Sequence, residues 1–251
     1  MGARFKSGSH SSVRKHHMKL AGLQKLTLLD FPGRTAATVF LPGCNFRCPF
    51  CHNADLVTAG GAAETPEVPV EEFFAFLDKR HGLLDGVCIT GGEPLLHPEL
   101  ADFCARIKQA GFAVKLDTNG SFPDRLRDLV EAGLVDYVAM DMKNTLARYA
   151  ETAGVPAFDT TPVRASLDYL RSGAVPYEFR TTVVRELHTA DDLRALARDI
   201  EGADAWYLQS FVDTENVLAG LDTLHPWDPA DLEALLPDLR HHVPNTQLRG
   251  V

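Results

Sequence analysis

Residues 43–53 read GCNFRCPFCHN, and this stretch decides how the rest of the chain is interpreted. It places Cys44, Cys48 and Cys51 in a C-x3-C-x2-C spacing directly after a short apolar run, residues 38–41. Thiolates are soft ligands that suit iron-sulfur clusters and zinc, and three on one loop can bind three irons of a cubane while the fourth stays open. The stretch therefore predicts a metal-binding loop at the end of a strand.

Short β-rich runs alternate with helix-period segments after Gly22, which is typical of a parallel sheet covered by helices. Six runs are predicted as strands: residues 38–41, 86–90, 112–117, 135–141, 177–183 and 205–211. Six units are too few for the closed eight-stranded barrel. We therefore predict the α/β class and a partly open (β/α)6 barrel of parallel strands, with its active face at their carboxyl ends.

Length and composition limit the remaining possibilities. The 251 residues fit one domain, predicted over residues 20–251, and the polar, basic residues 1–19 are predicted to form a flexible arm. No apolar run approaches the ~20 residues of a membrane span, and no secretory signal begins the chain. The net charge of -9 argues against a nucleic-acid surface. We predict a cytoplasmic protein with neither a membrane nor a nucleic-acid partner.

The cysteine spacing, with Phe50 before the third cysteine, resembles the radical S-adenosylmethionine (SAM) superfamily. A second motif, Gly91-Gly92-Glu93, follows the second predicted strand and resembles the segment that lines the amino-acid end of SAM in that superfamily. The resemblance implies one 4Fe-4S cluster on the three cysteines and SAM chelated to its open iron. One electron from the cluster would then cleave the sulfonium to a 5′-deoxyadenosyl radical.

The likeness becomes more specific around the cysteines, in LDFPG at 29–33, TVFLPGC at 38–44 and CHN at 51–53. These segments resemble the activating proteins of anaerobic ribonucleoside-triphosphate reductase, relatives of pyruvate formate-lyase activating enzyme, and the likeness spans residues 22–211. It implies a glycyl-radical enzyme as the protein substrate, from which a glycine hydrogen is removed. It also implies a flavodoxin-like or other low-potential electron donor.

The resemblance assigns cofactor binding to several positions at the predicted active face. These residues are Phe50, His52, Asn53, Gly91, Gly92, Glu93, Asp117, Thr118, Asp141, Lys143 and Arg180. Asp141 and Lys143 point the same way because side chains alternate along a strand. For Arg180, contact with the cofactor and a salt bridge inside the barrel both stay open.

The ends of the third and fourth predicted strands are expected to form an anionic cage from Asp117, Thr118 and Asp141. Converging carboxylates repel one another unless a cation compensates, and Lys143 supplies one positive charge. The resemblance to formate-lyase activase implies another, a bound monovalent cation.

Two alternatives stay open. A small-molecule radical enzyme of the carboxydeazaguanine synthase type shares these motifs, but that family usually has a longer insertion between its first two cysteines. Residues 209–212, QSFV, also lack the histidine that formate-lyase activase has there. The second alternative is a noncatalytic module that holds a structural zinc, with His52 as the fourth ligand. Cys88 and Cys104 are predicted to be small buried hydrophobes, so one cluster is expected.

Overall fold

The computed structural model describes residues 18–57 and 67–250. Within them, eight strands form one sheet in chain order, with β1 antiparallel to β2 and each later neighbour parallel to the one before it. The strands are β1 Gly22–Thr27, β2 Ala36–Leu41, β3 Gly86–Gly91, β4 Ala113–Thr118, β5 Tyr137–Asp141, β6 Tyr177–Val183, β7 Trp206–Ser210 and β8 Thr246–Arg249. The sheet is an open barrel wall.

Helices connect the parallel strands. They are α1 Ala54–Val57, α2 Val70–Asp78, α3 Leu100–Gln109, α4 Pro123–Glu131, α5 Tyr149–Ala153, α6 Thr161–Arg171, α7 Ala190–Asp199 and α8 Pro229–Arg240, with a 3-10 turn at Pro94–Leu96. Apolar residues at helical spacing bury one face of each longer helix, as Leu100, Phe103 and Ile107 do in α3. No helix in the described ranges is long and apolar enough to span a bilayer.

The predicted α/β class and the open, mainly parallel barrel are confirmed. The six predicted strands correspond to β2–β7, and each end agrees within two residues. The six predicted strands are parallel to one another, as predicted. Two further strands of the described residues were missed, and one of them, β1, is antiparallel to its neighbour. Strand β1 is half exposed and β8 has only four residues, so neither has the continuous apolar run of a strand buried on both faces.

The predicted N-terminal arm falls mostly outside the described residues, which begin at Met18. Met18 is itself only 6% exposed and belongs to the hydrophobic core, so the packed part of the chain starts before residue 20. Helix α7 begins as its sequence indicates: the Thr189 hydroxyl accepts a hydrogen bond from Asp192 N–H, and the Asp192 carboxylate accepts one in return.

Charged side chains lie on the inner side of three neighbouring strands. Lys115 and Asp117 are two residues apart in β4 and therefore face the same side. Asp141 ends β5, and the register pairs it with Arg180 in β6. The parallel sheet thus brings together charges that are far apart in the sequence.

Candidate active site

A pocket opens at the carboxyl ends of the parallel strands, and its empty space, including the mouth, is about 930 Å³. Every predicted site residue except Glu93 lines it. The wall also contains six residues that were not predicted: Phe46, Val57, Thr90, Asn119, Thr182 and Gln209. The predicted active face and the observed pocket therefore coincide.

The cysteine loop is anchored on one side by α5 and the segment that follows it. Phe46 packs edge-on against Phe158 and Tyr149, with ring centroids 5.0 and 6.2 Å away. The Arg47 N–H donates to the Ala153 carbonyl at 2.9 Å. Aromatic packing and a backbone hydrogen bond thus fix the residues between the first two cysteines.

The loop between β7 and α8 holds the other side of the cysteine loop. Leu218 N–H donates to the Cys51 carbonyl at 3.0 Å, and Ala219 N–H donates to the Pro49 carbonyl at 2.9 Å. The backbone around the third cysteine is therefore fixed independently of the side bound to α5.

The glycines after β3 allow close approach to the cysteine loop. Gly92 N–H donates to Leu41, and a Cβ on Gly92 would lie 1.8 Å from the Gly43 carbonyl oxygen. Asn53 Nδ2 donates to the Gly91 carbonyl at 3.2 Å. Because any larger residue at position 92 would overlap backbone, glycine is required there to join the two motifs.

Two nitrogen donors point at the sulfur of the first cysteine. Phe46 N–H donates to Cys44 Sγ at 3.3 Å, and Asn119 Nδ2 donates at 3.9 Å. Burial raises the pKa of Cys44, and it raises the pKa of Cys48 to about 12, although Lys143 opposes both shifts. Metal binding deprotonates such thiols, so occupation of this loop would release protons.

Five charged side chains of alternating sign lie in and beneath the pocket wall. Asp117 Oδ1 contacts the Lys115 ammonium, and Oδ2 accepts from Arg180 Nη1 at 3.0 Å. Arg180 Nε donates at 2.9 Å to Asp141 Oδ1, and Lys143 Nζ donates at 3.1 Å to Asp141 Oδ2. The carboxylates converge as predicted, but all four of their oxygens are paired with a cationic side chain.

The ion pairs keep both aspartates charged despite their burial. Burial alone would raise the pKa of Asp117, but Arg180 and Lys115 outweigh it and lower that pKa to about 2. Arg180 and Lys143 likewise lower the pKa of Asp141 against the effect of burial. The salt-bridge interpretation of Arg180 is thus observed, and Arg180 still lines the pocket.

Comparison with known proteins identifies the family. The family described as "Radical SAM superfamily" matches residues 38–200, which include the cysteine loop, the glycine motif and all five charged residues. The chain belongs to the radical SAM superfamily. Membership implies a 4Fe-4S cluster and SAM.

Two relatives with different named activities each match most of the chain. A Methanocaldococcus jannaschii protein named "Putative glycyl-radical enzyme activating enzyme" is 32% identical over 197 residues, which cover 76% of this chain and 79% of that protein. The 7-carboxy-7-deazaguanine synthase of Methanopyrus kandleri is 31% identical over 225 residues, covering 82% and 84%.

Solved structures share the fold at low identity. Streptococcus suis SuiB bound to S-adenosylmethionine superposes with a TM-score of 0.64 at 13% identity, covering 85% of this chain and 52% of SuiB. A domain of pyruvate-formate lyase-activating enzyme from Bacteroides vulgatus gives a TM-score of 0.53 at 17% identity, covering 66% and 99%.

The residues fit the cofactors of a radical SAM protein. The three thiols share one pocket with N–H donors directed at Cys44, and hydrogen bonds to sulfur are a feature of iron-sulfur sites. No three His, Cys, Asp or Glu side chains in residues 18–57 and 67–250 are arranged around a single ion. His52 Nε2 lies 2.6 Å from the Val212 carbonyl, so a zinc knuckle would first have to break that contact.

Glu93 lies beneath the pocket instead of in its wall. Its carboxylate accepts hydrogen bonds from Thr118 Oγ1 at 2.8 Å and from the N–H groups of Asn119 and Leu95 at 2.7 and 3.0 Å. Glu93 thus joins the loops after β3 and β4. Burial raises its pKa to about 7, although these hydrogen bonds oppose the shift.

This shift predicts a pH-dependent stability. Because the folded pKa of Glu93 lies above its ordinary value of 4.5, its contribution is present below pH 4.5 and is lost as pH rises through 7. We expect the free energy of unfolding to fall by up to ~3 kcal/mol across that window, and Glu93→Gln to remove that fall. Anaerobic denaturant unfolding of the cluster-loaded proteins at several pH values measures it. The exposed Glu215→Gln should follow wild type, and parallel curves for wild type and Glu93→Gln would contradict the assignment.

Proposed function

We propose that this chain is an activase that cleaves SAM at a 4Fe-4S cluster on Cys44, Cys48 and Cys51 and thereby generates a glycyl radical on a partner enzyme. Anaerobic ribonucleoside-triphosphate reductase is the first candidate partner. The observation that carries the proposal is the relative named as a glycyl-radical enzyme activating enzyme, which matches along three quarters of both chains. The activase-like segments around the cysteines support the same partner class.

The chain's own residues hold and orient the cofactors. The bound cluster and SAM supply the electron transfer and the radical that removes a hydrogen atom from the partner's glycine. The thiolates of Cys44, Cys48 and Cys51 would bind the irons, and the backbone of Gly91 and Gly92 forms the adjacent wall of the pocket. Ion pairs with the neighbouring aspartates hold Arg180 and Lys143 in place at the pocket. From there, both side chains present positive charge to an anionic group of the ligand.

The test is an anaerobic reconstitution with reductase purified from the same organism, SAM and dithionite. We expect 5′-deoxyadenosine and methionine in equal amounts, together with a glycyl-radical signal on the reductase by electron paramagnetic resonance. SAM cleavage without any signal on the reductase would contradict this choice of partner. A flavodoxin-like donor, proposed in place of dithionite, is tested by substitution in the same assay.

The deazaguanine synthase relative favours a second candidate, a radical SAM enzyme that acts on a small molecule. Its similarity covers slightly more of this chain than that of the activating-enzyme relative. The two candidates give different products: formation of 7-carboxy-7-deazaguanine, with no radical on the reductase, would select the synthase. The cytoplasmic location stays a prediction. The monovalent cation that the resemblance implies is also untested, and the proposal below puts a buried lysine in its place.

A further inference from the structure

A fully buried lysine lies beneath the SAM pocket and outside the set of predicted site residues. Lys115 is 0% exposed, its ammonium contacts Asp117 Oδ1, and it lies 3.8 Å from Cys88 Sγ. A buried charge is retained only where a partner compensates its lost hydration. The position of Lys115 is therefore linked to Asp117, which lines the pocket.

We propose that Lys115 is a positioning residue that acts as the internal counter-ion of the SAM pocket, so that SAM binding in this chain needs no alkali cation. Three cationic side chains, Lys115, Arg180 and Lys143, face the two carboxylates of Asp117 and Asp141. Three positive charges against two negative ones leave one positive charge. The repulsion that would recruit an alkali ion is already compensated.

The geometry shows what removal of Lys115 would change. Asp117 Oδ1 would lose its cationic partner, while Oδ2 would keep Arg180. Because Arg180 Nη1 stays on Oδ2, Oδ1 becomes an anionic oxygen without a cationic partner. A hard cation is the species that would bind at the freed carboxylate oxygen. Loss of Lys115 should therefore weaken SAM binding and make it sensitive to alkali ions.

The experiment is anaerobic equilibrium dialysis of radiolabelled SAM against cluster-loaded protein. The buffers contain potassium, sodium or tetramethylammonium chloride at equal ionic strength. For wild type we expect dissociation constants that agree within about twofold. For Lys115→Met we expect SAM binding about tenfold weaker in tetramethylammonium, with at least part of the loss restored by potassium or sodium.

A matched variant separates this effect from a general change of charge. Lys108 also forms an ion pair with a carboxylate, that of Asp136 at 2.5 Å, but its side chain is 30% exposed and does not line the pocket. Lys108→Met removes the same charge and should bind SAM as wild type does. A comparable loss in Lys108→Met would overturn the proposal.

Two further results decide the question even if Lys115→Met does not fold. Wild-type affinity that depends on the alkali ion overturns the proposal without any variant. The double variant Lys115→Met/Asp117→Asn replaces the buried pair by neutral groups of similar size. The proposal predicts no alkali effect there, because the anionic oxygen has been removed, and restoration by potassium would contradict it. These measurements need SAM binding only, so they fail independently of the glycyl-radical partner.

Discussion

We expect Cys48→Ala to abolish SAM cleavage and to prevent assembly of a complete cluster. Two remaining thiolates, Cys44 and Cys51, cannot hold a cubane that keeps one iron open for substrate. Cys48 is 7% exposed and sits between the loop segments fixed by α5 and by the β7–α8 loop, so no other thiol of the loop can replace it. The rate of SAM cleavage should fall more than ~100-fold, which exceeds the loss expected when a residue that only hydrogen-bonds to a metal ligand is removed.

The measurement combines iron and sulfide content, visible absorbance after anaerobic reconstitution and the yield of 5′-deoxyadenosine. Cys104→Ala is the control, because Cys104 is equally a buried free thiol but lies on α3, away from the pocket. That variant should keep its cluster and its cleavage activity. Full cleavage and normal iron content in Cys48→Ala would refute the assignment of the cluster ligands.

The fold was predictable where the strands have no exposed residue. Strands β2–β7 are buried or half-buried along their whole length and therefore appear in the sequence as mainly apolar runs between helix signals. Strand β1 has the exposed residues Gln24, Lys25 and Leu26, and β8 is a short polar edge, so their pairing depends on neighbours that no local pattern encodes. The central strands could therefore be predicted from their apolar composition. The two edge strands could be assigned only from the tertiary structure.

The residues of the candidate site also divide into those that the sequence predicted and those that only the tertiary structure brings together. The cysteine and glycine motifs are contiguous in sequence, and all of their predicted residues except Glu93 line the pocket. The register of the strands decides which side chains lie next to Lys115, Thr182 and Gln209. The local sequence around a lysine in an apolar run does not indicate which residue it pairs with. Alternation from Asp117 could have identified Lys115, because residues two apart on a strand share a face.

The sequence also provided no indication that Gly154 contacts the cysteine loop, and its substitution is the second change for which we expect a large effect. It follows α5 with φ +66, and a Cβ there would lie 2.0 Å from the Arg47 carbonyl oxygen, between the first two cysteines. Gly154→Ala would therefore combine left-handed backbone strain of about 1–2 kcal/mol with displacement of the cysteine loop. We expect the variant to lose more than half of its iron after reconstitution and to cleave SAM more than ~10-fold more slowly.

Gly133 provides a matched control for that prediction. It also follows a helix, has φ +67, and nothing lies within 4 Å of the position that its Cβ would occupy. Gly133→Ala thus introduces the same backbone strain without touching the cysteine loop. It should lower the melting temperature by the amount due to backbone strain alone, and it should keep its iron and its activity. Equal iron content in the two variants would mean that α5 does not position the loop. Loss of iron in Gly154→Ala alone would mean that the close contact of Gly154 with Arg47 is required for the cluster to assemble.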